Sequence, residues 1–340
     1  MKLKQALLYG VEIIGLNKLA RFRTRSRLLG LCYHSIVSDN SPLNDARTRI
    51  AVTISQFDEQ LRELKKHWQP VSLNQIRNAV ENDIPLPDYA VHVSFDDGYK
   101  NNLTLAAPLL ARYEIPATIF VTTNLTATQN QLIWALEIHE RLTVLPDSKI
   151  HFGDKTYELP PPETPQRTEI SLELLNQIKH ITVEERENVL QFLRDRTEID
   201  FTPSWKRELY EFLNWDELRL LRKQGMSIGA HTLSHPVLSS LDQAELNREL
   251  LESKKCIERE LGVECDALAY PFGSAYDFSD RVIDMVRRVG FRLAFTLQDC
   301  RNAVMPDAMR IHRICIHREH SLNSFRALIS GLRNVPLFTQ

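Results

Sequence analysis

Two short stretches of the 340-residue chain hold side chains that could do chemistry together. The first is Asp96-Asp97-Gly98, which ends the apolar run Val91-His92-Val93-Ser94-Phe95. The second is His231-Thr232-Leu233-Ser234-His235-Pro236, far downstream. Two neutral imidazoles and one carboxylate leave open positions on a borderline divalent ion, which is the composition of a catalytic zinc site. Adjacent aspartates can divide the work: one ligates, while the other accepts a proton from a water whose pKa the ion lowers toward ~7. His231 and His235 are four residues apart, so one helical turn would put both rings on one face, with Pro236 ending the helix. Each stretch also has a plainer reading. Asp-Asp-Gly is a common turn, and His-x-x-x-His is often a polar surface pair. The same ligand types suit non-haem iron, but such sites usually come with a β-sandwich and a tight His-x-Asp pair, and the chain shows neither.

The elements around these stretches favour a site. A helical pattern from 101 to 112 and a second apolar run, Ala117–Val121, follow the Asp96 strand, making a βαβ unit of a parallel sheet. Ligands of such sheets gather at the C-terminal strand ends. An earlier strand, Leu29–Tyr33, is closed by His34, a minor candidate because a lone histidine at a strand end is more often structural. Alternation stops at about Asn124. From there to Asn214 the chain reads as a mainly helical insertion, with a hairpin around Gly153-Asp154, the breaker Pro160-Pro161-Pro162, and amphipathic stretches at 167–180 and 183–196. Rhythm resumes at a helix capped by Asn214 with Glu217 at its third position and stopped at Gly225. Strands are then expected at 226–230, 268–273, 291–296 and 311–316. The fold class is α/β, a parallel barrel or open sheet.

Composition excludes several classes. A formal net charge of −2 gives no global support for nucleic-acid binding. Hydrophobic content of 43% and charged content of 25% are those of a globular protein. Five scattered cysteines with no Cys-x-x-Cys argue against a disulfide framework and fit a reducing, cytoplasmic location. Residues 1–30 differ in character, with seven cations against one acid and Leu3, Leu7, Val11 and Ile14 on one helical face. Glu12 breaks the apolar part, so a signal peptide fits poorly. The segment reads either as a packed surface helix or as a peripheral contact of residues 1–27 with an anionic inner-membrane surface.

Phe95-Asp96-Asp97-Gly98 resembles the first motif of the polysaccharide deacetylase family (NodB-homology, carbohydrate esterase 4 type), and His231-Thr232-Leu233-Ser234-His235-Pro236 resembles the second. Tyr33-His34 and the Gly290-Phe291…Ala294-Phe295-Thr296 stretch are similar to the exopolysaccharide-associated branch. The resemblance implies a distorted (β/α) barrel formed by 31–123 and 215–335, preceded by the basic segment 1–30 and interrupted by the insertion 124–214. It also implies Asp96 as general base, Asp97, His231 and His235 as ligands of a divalent ion, zinc first, and an acetylated glycan as substrate. Two departures stand out. Where the family's third motif carries an arginine that orients the catalytic aspartate, this chain reads Ala269-Tyr270-Pro271-Phe272. Pro271 and the Tyr270 backbone can still line an acetyl pocket, but something else must hold Asp96. The last motif normally supplies a histidine as general acid, and His312, His317 and His320 give no clean match. Strand alternation puts Arg313, Cys315 and His317 on one face, which favours His317. The expected reaction is hydrolysis of an acetyl group, N-acetyl above O-acetyl. The rivals are a catalytically silent glycan-binding protein on the same scaffold and a metal-dependent amidase or esterase acting on a small molecule.

Overall fold

A computed structural model describes residues 15–42, 50–126, 128 and 131–332. Seven parallel strands form its centre: β1 (Leu29–Tyr33), β2 (Ala90–Phe95), β3 (Ala117–Val121), β4 (Ser227–Ala230), β5 (Ala267–Ala269), β6 (Leu293–Thr296) and β7 (Ile311–Cys315). They follow one another around a ring in chain order, and the pairings β1–β7 and β1–β2 close it. Every residue of β1, β2 and β3 is buried, as expected of strands covered on both faces. The short strand Gln69–Pro70 pairs in parallel with the first residues of β2. The barrel expected from the resemblance is therefore present.

Alternation along the strands separates two apolar layers. Leu31, Tyr33, Val91, Val93 and Phe95 face outward and pack on helices such as Ile54–His67, whose Phe57 ring meets Tyr33 and Phe95 at 5.0 and 5.8 Å. Phe120, Ala267, Ala269, Leu293, Phe295 and Ile311 fill the interior. The interior is tight: a Cβ at Gly229 would stand 2.6 Å from two carbons of the Phe120 ring.

Helix boundaries follow the capping chemistry. Reciprocal boxes form at Asn214 with Glu217 and at Asp242 with Glu245, and Gly225 and Gly262 take positive φ beyond the helix ends. Two elements depart from the expected pattern. The stretch 101–112 begins as a π-helix, Asn102–Ala106, and only then becomes the α-helix Ala107–Tyr113. The wider turn leaves Asn101 and Asn102 free to bond Ile36 N, Ser35 Oγ and His34 O. The strand expected at 268–273 keeps only Ala267–Ala269, since Pro271 has no N–H to extend a ladder.

The segment between β3 and β4 contains the helices Trp134–Val144, Pro165–Ile178, Val183–Arg194 and Ser204–Tyr210 and the hairpin Lys149–Phe152/Lys155–Glu158. It has its own apolar cluster, and that cluster includes Tyr99 from the β2 loop. It sits on the C-terminal ends of the barrel strands. Phe212 stacks on Tyr99 at 5.1 Å, Trp134 meets Phe272 at 5.8 Å, and Lys179 pairs with buried Asp277 at 2.5 Å. At the N-terminus, Leu3, Leu7, Val11 and Ile14 lie outside the described residues. The helix Leu16–Arg23 follows them and leaves Leu19 and Phe22 half exposed. No helix among the described residues is long and apolar enough to cross a membrane.

Gly229→Ala should destabilise the fold by about 1–3 kcal/mol, the usual cost of overpacking a filled interior. A urea midpoint unchanged from the parent protein would mean that Phe120 yields freely and that the barrel interior is looser than this.

Candidate active site

Asp96 stands just past β2 at the mouth of the barrel and is fully buried. Both of its oxygens accept from one guanidinium, Arg313 Nη1 at 2.7 Å and Nη2 at 2.8 Å. Arg313 lies in the middle of β7, fully buried, with Nη1 also donating to Ser94 Oγ at 2.9 Å and Nε to the Thr296 carbonyl at 3.2 Å. Its charge rests over the rings of Phe120 and Phe295, 5.2 and 5.7 Å from their centres. Gly30 on β1 makes the room: a Cβ there would collide with the His312 carbonyl and come within 2.9 Å of Arg313 Cγ. The position of Ala269, where the family pattern has arginine, is thus answered from another strand. Burial alone would raise the Asp96 carboxyl, but Arg313 outweighs it and holds the group well below the usual carboxylate range.

Asp97 points elsewhere. Its φ of 74°, followed by 87° at Gly98, turns the backbone sharply after the strand. A side chain held in that region costs on the order of 1–3 kcal/mol, a strain that clusters at functional sites. The turn brings Asp97 Oδ1 to 3.5 Å from His231 Nε2 and 3.6 Å from His235 Nε2. His231 Nδ1 lies 2.8 Å from the Ala269 carbonyl, so Nδ1 carries the proton and the Nε2 lone pair faces Asp97.

The two histidines do not share a helical face. Residues 231–236 form a loop in which Thr232 and His235 both take positive φ, 65° and 60°. Thr232 Oγ1 accepts from His235 N, and the Glu249 carboxylate accepts from Leu233 N, Ser234 N and Ser234 Oγ. Trp134 Nε1 donates to the His235 carbonyl at 2.8 Å. The rings therefore converge because a barrel helix and the inserted segment grip the loop, not because of a 3.6-residue repeat.

These residues fit a cation. The nitrogen–oxygen separations are too long for hydrogen bonds, and Asp97 Oδ1 and His235 Nδ1 are buried with no partner among the described residues. One donor atom from each of Asp97, His231 and His235 falls within 4.8 Å of the others. Burial pushes the Asp97 carboxyl up and the His235 imidazole well down, as happens where a compensating charge is missing.

His34 reaches the same mouth from β1 and is buried, with its Nδ1 3.9 Å from Cys315 Sγ. Burial works against its charge, but Cys315 and the two aspartates outweigh burial and push it up to about 9. His317 follows β7 on the face expected from alternation. It pairs edge-on with His320 at 5.4 Å, and its backbone N–H donates to His320 Nδ1 at 2.9 Å. His312 turns the other way, onto Thr296 Oγ1 at 3.0 Å. The Tyr270 ring is packed in the core, stacked on Phe278 at 4.3 Å with its hydroxyl donating to Met309 O, so only its backbone stands at the strand end beside buried Pro271.

Arg313 and Trp134 carry no role in the motifs. For Arg313 a signal was present: a cation flanked by Ile311, Ile314 and Ile316 in a strand requires a buried anion. Trp134 gave none, because its partner is a backbone carbonyl a hundred residues away.

The profile of the polysaccharide deacetylase family matches residues 83–194 and 195–294. A poly-β-1,6-N-acetyl-D-glucosamine N-deacetylase of Escherichia coli (strain K12) is 32% identical over 107 residues, 31% of this chain. The aligned part spans only 14% of that relative's length. The Streptococcus pyogenes deacetylase PplD superposes with a TM-score of 0.59 at 18% identity, covering 89% of this chain and 98% of the other. IcaB from Ammonifex degensii superposes with a TM-score of 0.56 at 18% identity, covering 89% and 97%. At such identities the superpositions show the shared fold. The family profile covers more than half of the chain, and the chain belongs to the polysaccharide deacetylase family.

Proposed function

We propose that the protein is a metal-dependent hydrolase that removes acetyl groups, N-acetyl in the first place, from a polysaccharide or glycan precursor. The observation that carries this is the pairing of Asp96 with Arg313 directly beside the Asp97, His231 and His235 set. The relative that acts on poly-β-1,6-N-acetyl-D-glucosamine makes a β-linked N-acetylglucosamine polymer the first substrate to try. The alanine at position 269, which motivates a silent glycan-binding reading, loses that force once Arg313 supplies the missing contact.

Asp97, His231 and His235 would hold the divalent ion, zinc by the donor set, and the ion supplies Lewis acidity toward the acetyl carbonyl and lowers the pKa of water at the site. The remaining steps fall to the chain. Asp96, ionised and clamped by two hydrogen bonds, accepts the proton of the attacking water. Its depressed pKa makes it a weak base, so acceptance must run together with C–O bond formation. Arg313 is a positioning residue that fixes the carboxylate plane. His34, protonated and facing both aspartates, returns a proton to the leaving amine and fits that task better than His317, whose ring and backbone N–H meet His320. Trp134 and Phe272 wall the mouth where a sugar ring would lie.

Acetate release from chito-oligosaccharides and from β-1,6-linked N-acetylglucosamine oligomers tests the reading. Chelation should abolish release and added zinc should restore it. Asp96→Asn should keep its metal and lose about 10²–10⁴ in rate. Undiminished release after chelation, or from Asp96→Asn, would contradict the mechanism.

Arg313→Lys keeps the charge and loses the fork, so kcat should fall while metal content stays. The base must be deprotonated, and a weaker partner lets its pKa rise, so the acidic limb of kcat/KM should move to higher pH. An unmoved limb would show that Arg313 does not set the state of Asp96. For His34 the sign is opposite, because a proton donor fails as pH rises through its pKa. The alkaline limb, expected near 9, should disappear in His34→Gln together with most of the rate. A retained limb would return the role to His317.

A further inference from the structure

Two of the three candidate metal ligands stand on turns that the inserted segment holds. Asp97 opens the turn after β2, and the segment's returning stem runs beside it. Leu213 N donates to the Gly98 carbonyl at 2.9 Å and Lys100 N to the Glu211 carbonyl at 2.7 Å, while Phe212 stacks on Tyr99. His235 sits in the loop after β4, and the chain leaving β3 borders that loop. Thr123 N donates to the Thr232 carbonyl at 3.2 Å, Asn124 N to the Leu233 carbonyl at 2.9 Å, and Trp134 Nε1 to the His235 carbonyl at 2.8 Å. His231 differs, because it leans on barrel strands: its N–H donates to the Val121 carbonyl at 2.9 Å and its ring to the Ala269 carbonyl.

Both gripped turns are strained. Asp97, Thr232 and His235 all take positive φ, a conformation that persists only where the surroundings over-determine it. The His235 ring meets Phe272 edge-on at 4.9 Å, and Phe272 in turn meets Trp134 at 5.8 Å and carries the Lys179 ammonium at 4.3 Å. Trp134 is buried, so solvent does not compete for its N–H. Trp134, Tyr99 and Phe212 belong to one apolar cluster, which joins the grip on Asp97 to the grip on His235.

We infer that the inserted segment is an integral part of the metal site, with Trp134 as a positioning residue that acts through His235. The segment holds the Asp97 and His235 turns against each other across the mouth, so metal occupancy and docking of the segment stabilise each other. The inference rests on the metal-dependent reading given above and adds what sets the affinity of the site. Linkage makes the coupling reciprocal: if the docked segment favours the ion, the bound ion favours the docked segment by the same factor. Without the segment the barrel would keep His231 in place, but nothing would oppose relaxation of the two strained turns.

Hydrogen exchange and zinc affinity of the full chain test this. Zn2+ added to the metal-free parent protein should slow amide exchange in the segment helices Trp134–Val144 and Pro165–Ile178 more than in Leu322–Ser330, which packs on Leu16–Arg23 and Ile54–His67 instead. Trp134→Phe keeps a ring and loses the N–H donor. Competition with a chromophoric chelator should show this variant binding Zn2+ about tenfold or more weakly, the usual cost of losing a partner that orients a ligand, and the extra protection of the segment should shrink with it. A tryptophan that only supports the fold would lower the urea midpoint and leave the zinc Kd of the folded protein unchanged, and that result overturns the inference while sparing the metal reading. Equal slowing of the segment and of Leu322–Ser330 in the parent protein overturns it as well, whether or not the variant folds. A parent protein that binds no zinc contradicts the metal reading itself and this inference with it.

Discussion

A buried guanidinium clamped on a buried carboxylate is the interaction on which the interior of this barrel depends. Taking two charges out of water costs several kcal/mol per ion, and only near-ideal geometry with every remaining polar atom satisfied offsets it. Arg313 and Asp96 meet that condition with two short hydrogen bonds to each other, a bond to Ser94, a bond to the Thr296 carbonyl, and two aromatic faces beneath the charge. Gly30 is small for the same reason, since any side chain there would take the space of Arg313. Removing either partner would leave the other charged and alone, so the pair ties the stability of the barrel to the state of its reactive carboxylate.

Around that pair, the mouth is held by contacts from several separate elements. Asp97 is aimed by a turn in a disfavoured backbone region, His231 by the Ala269 carbonyl, and His235 by a loop gripped from both sides by Glu249 and Trp134. Trp134 belongs to the inserted segment, which therefore does more than cover the barrel: it fixes the backbone of one candidate ligand. Arg186 backs that indole from within the segment at 4.3 Å, and Lys179 reaches across to stand 4.3 Å over the Phe272 ring, joining the segment to the mouth a second time.

Much of this was legible in the residues. The strands on either side of the Asp96 loop, the capping box at Asn214 and the glycine at 225 all rest on local backbone chemistry, and each took the expected form. The one-turn spacing of His231 and His235 misled, because a spacing of four is equally compatible with a loop once Thr232 and His235 accept positive φ. The role of Arg313 was hidden for a different reason. Alternation put it on the interior face with Cys315 and His317, but its partner lies more than two hundred residues away on a strand that becomes a near neighbour only when the ring closes. Long-range closure is what a single sequence encodes least directly, and here it decides which arginine does the work.

Carbon-13 NMR of the aspartate carboxyls, followed through acid titration of the metal-free protein, tests the account most directly. The Asp96 resonance should stay at its ionised position through the range where ordinary carboxylates protonate, and lose that protection in Arg313→Gln. An Asp96 that titrates at or above the usual carboxylate range in the folded parent protein would contradict the account.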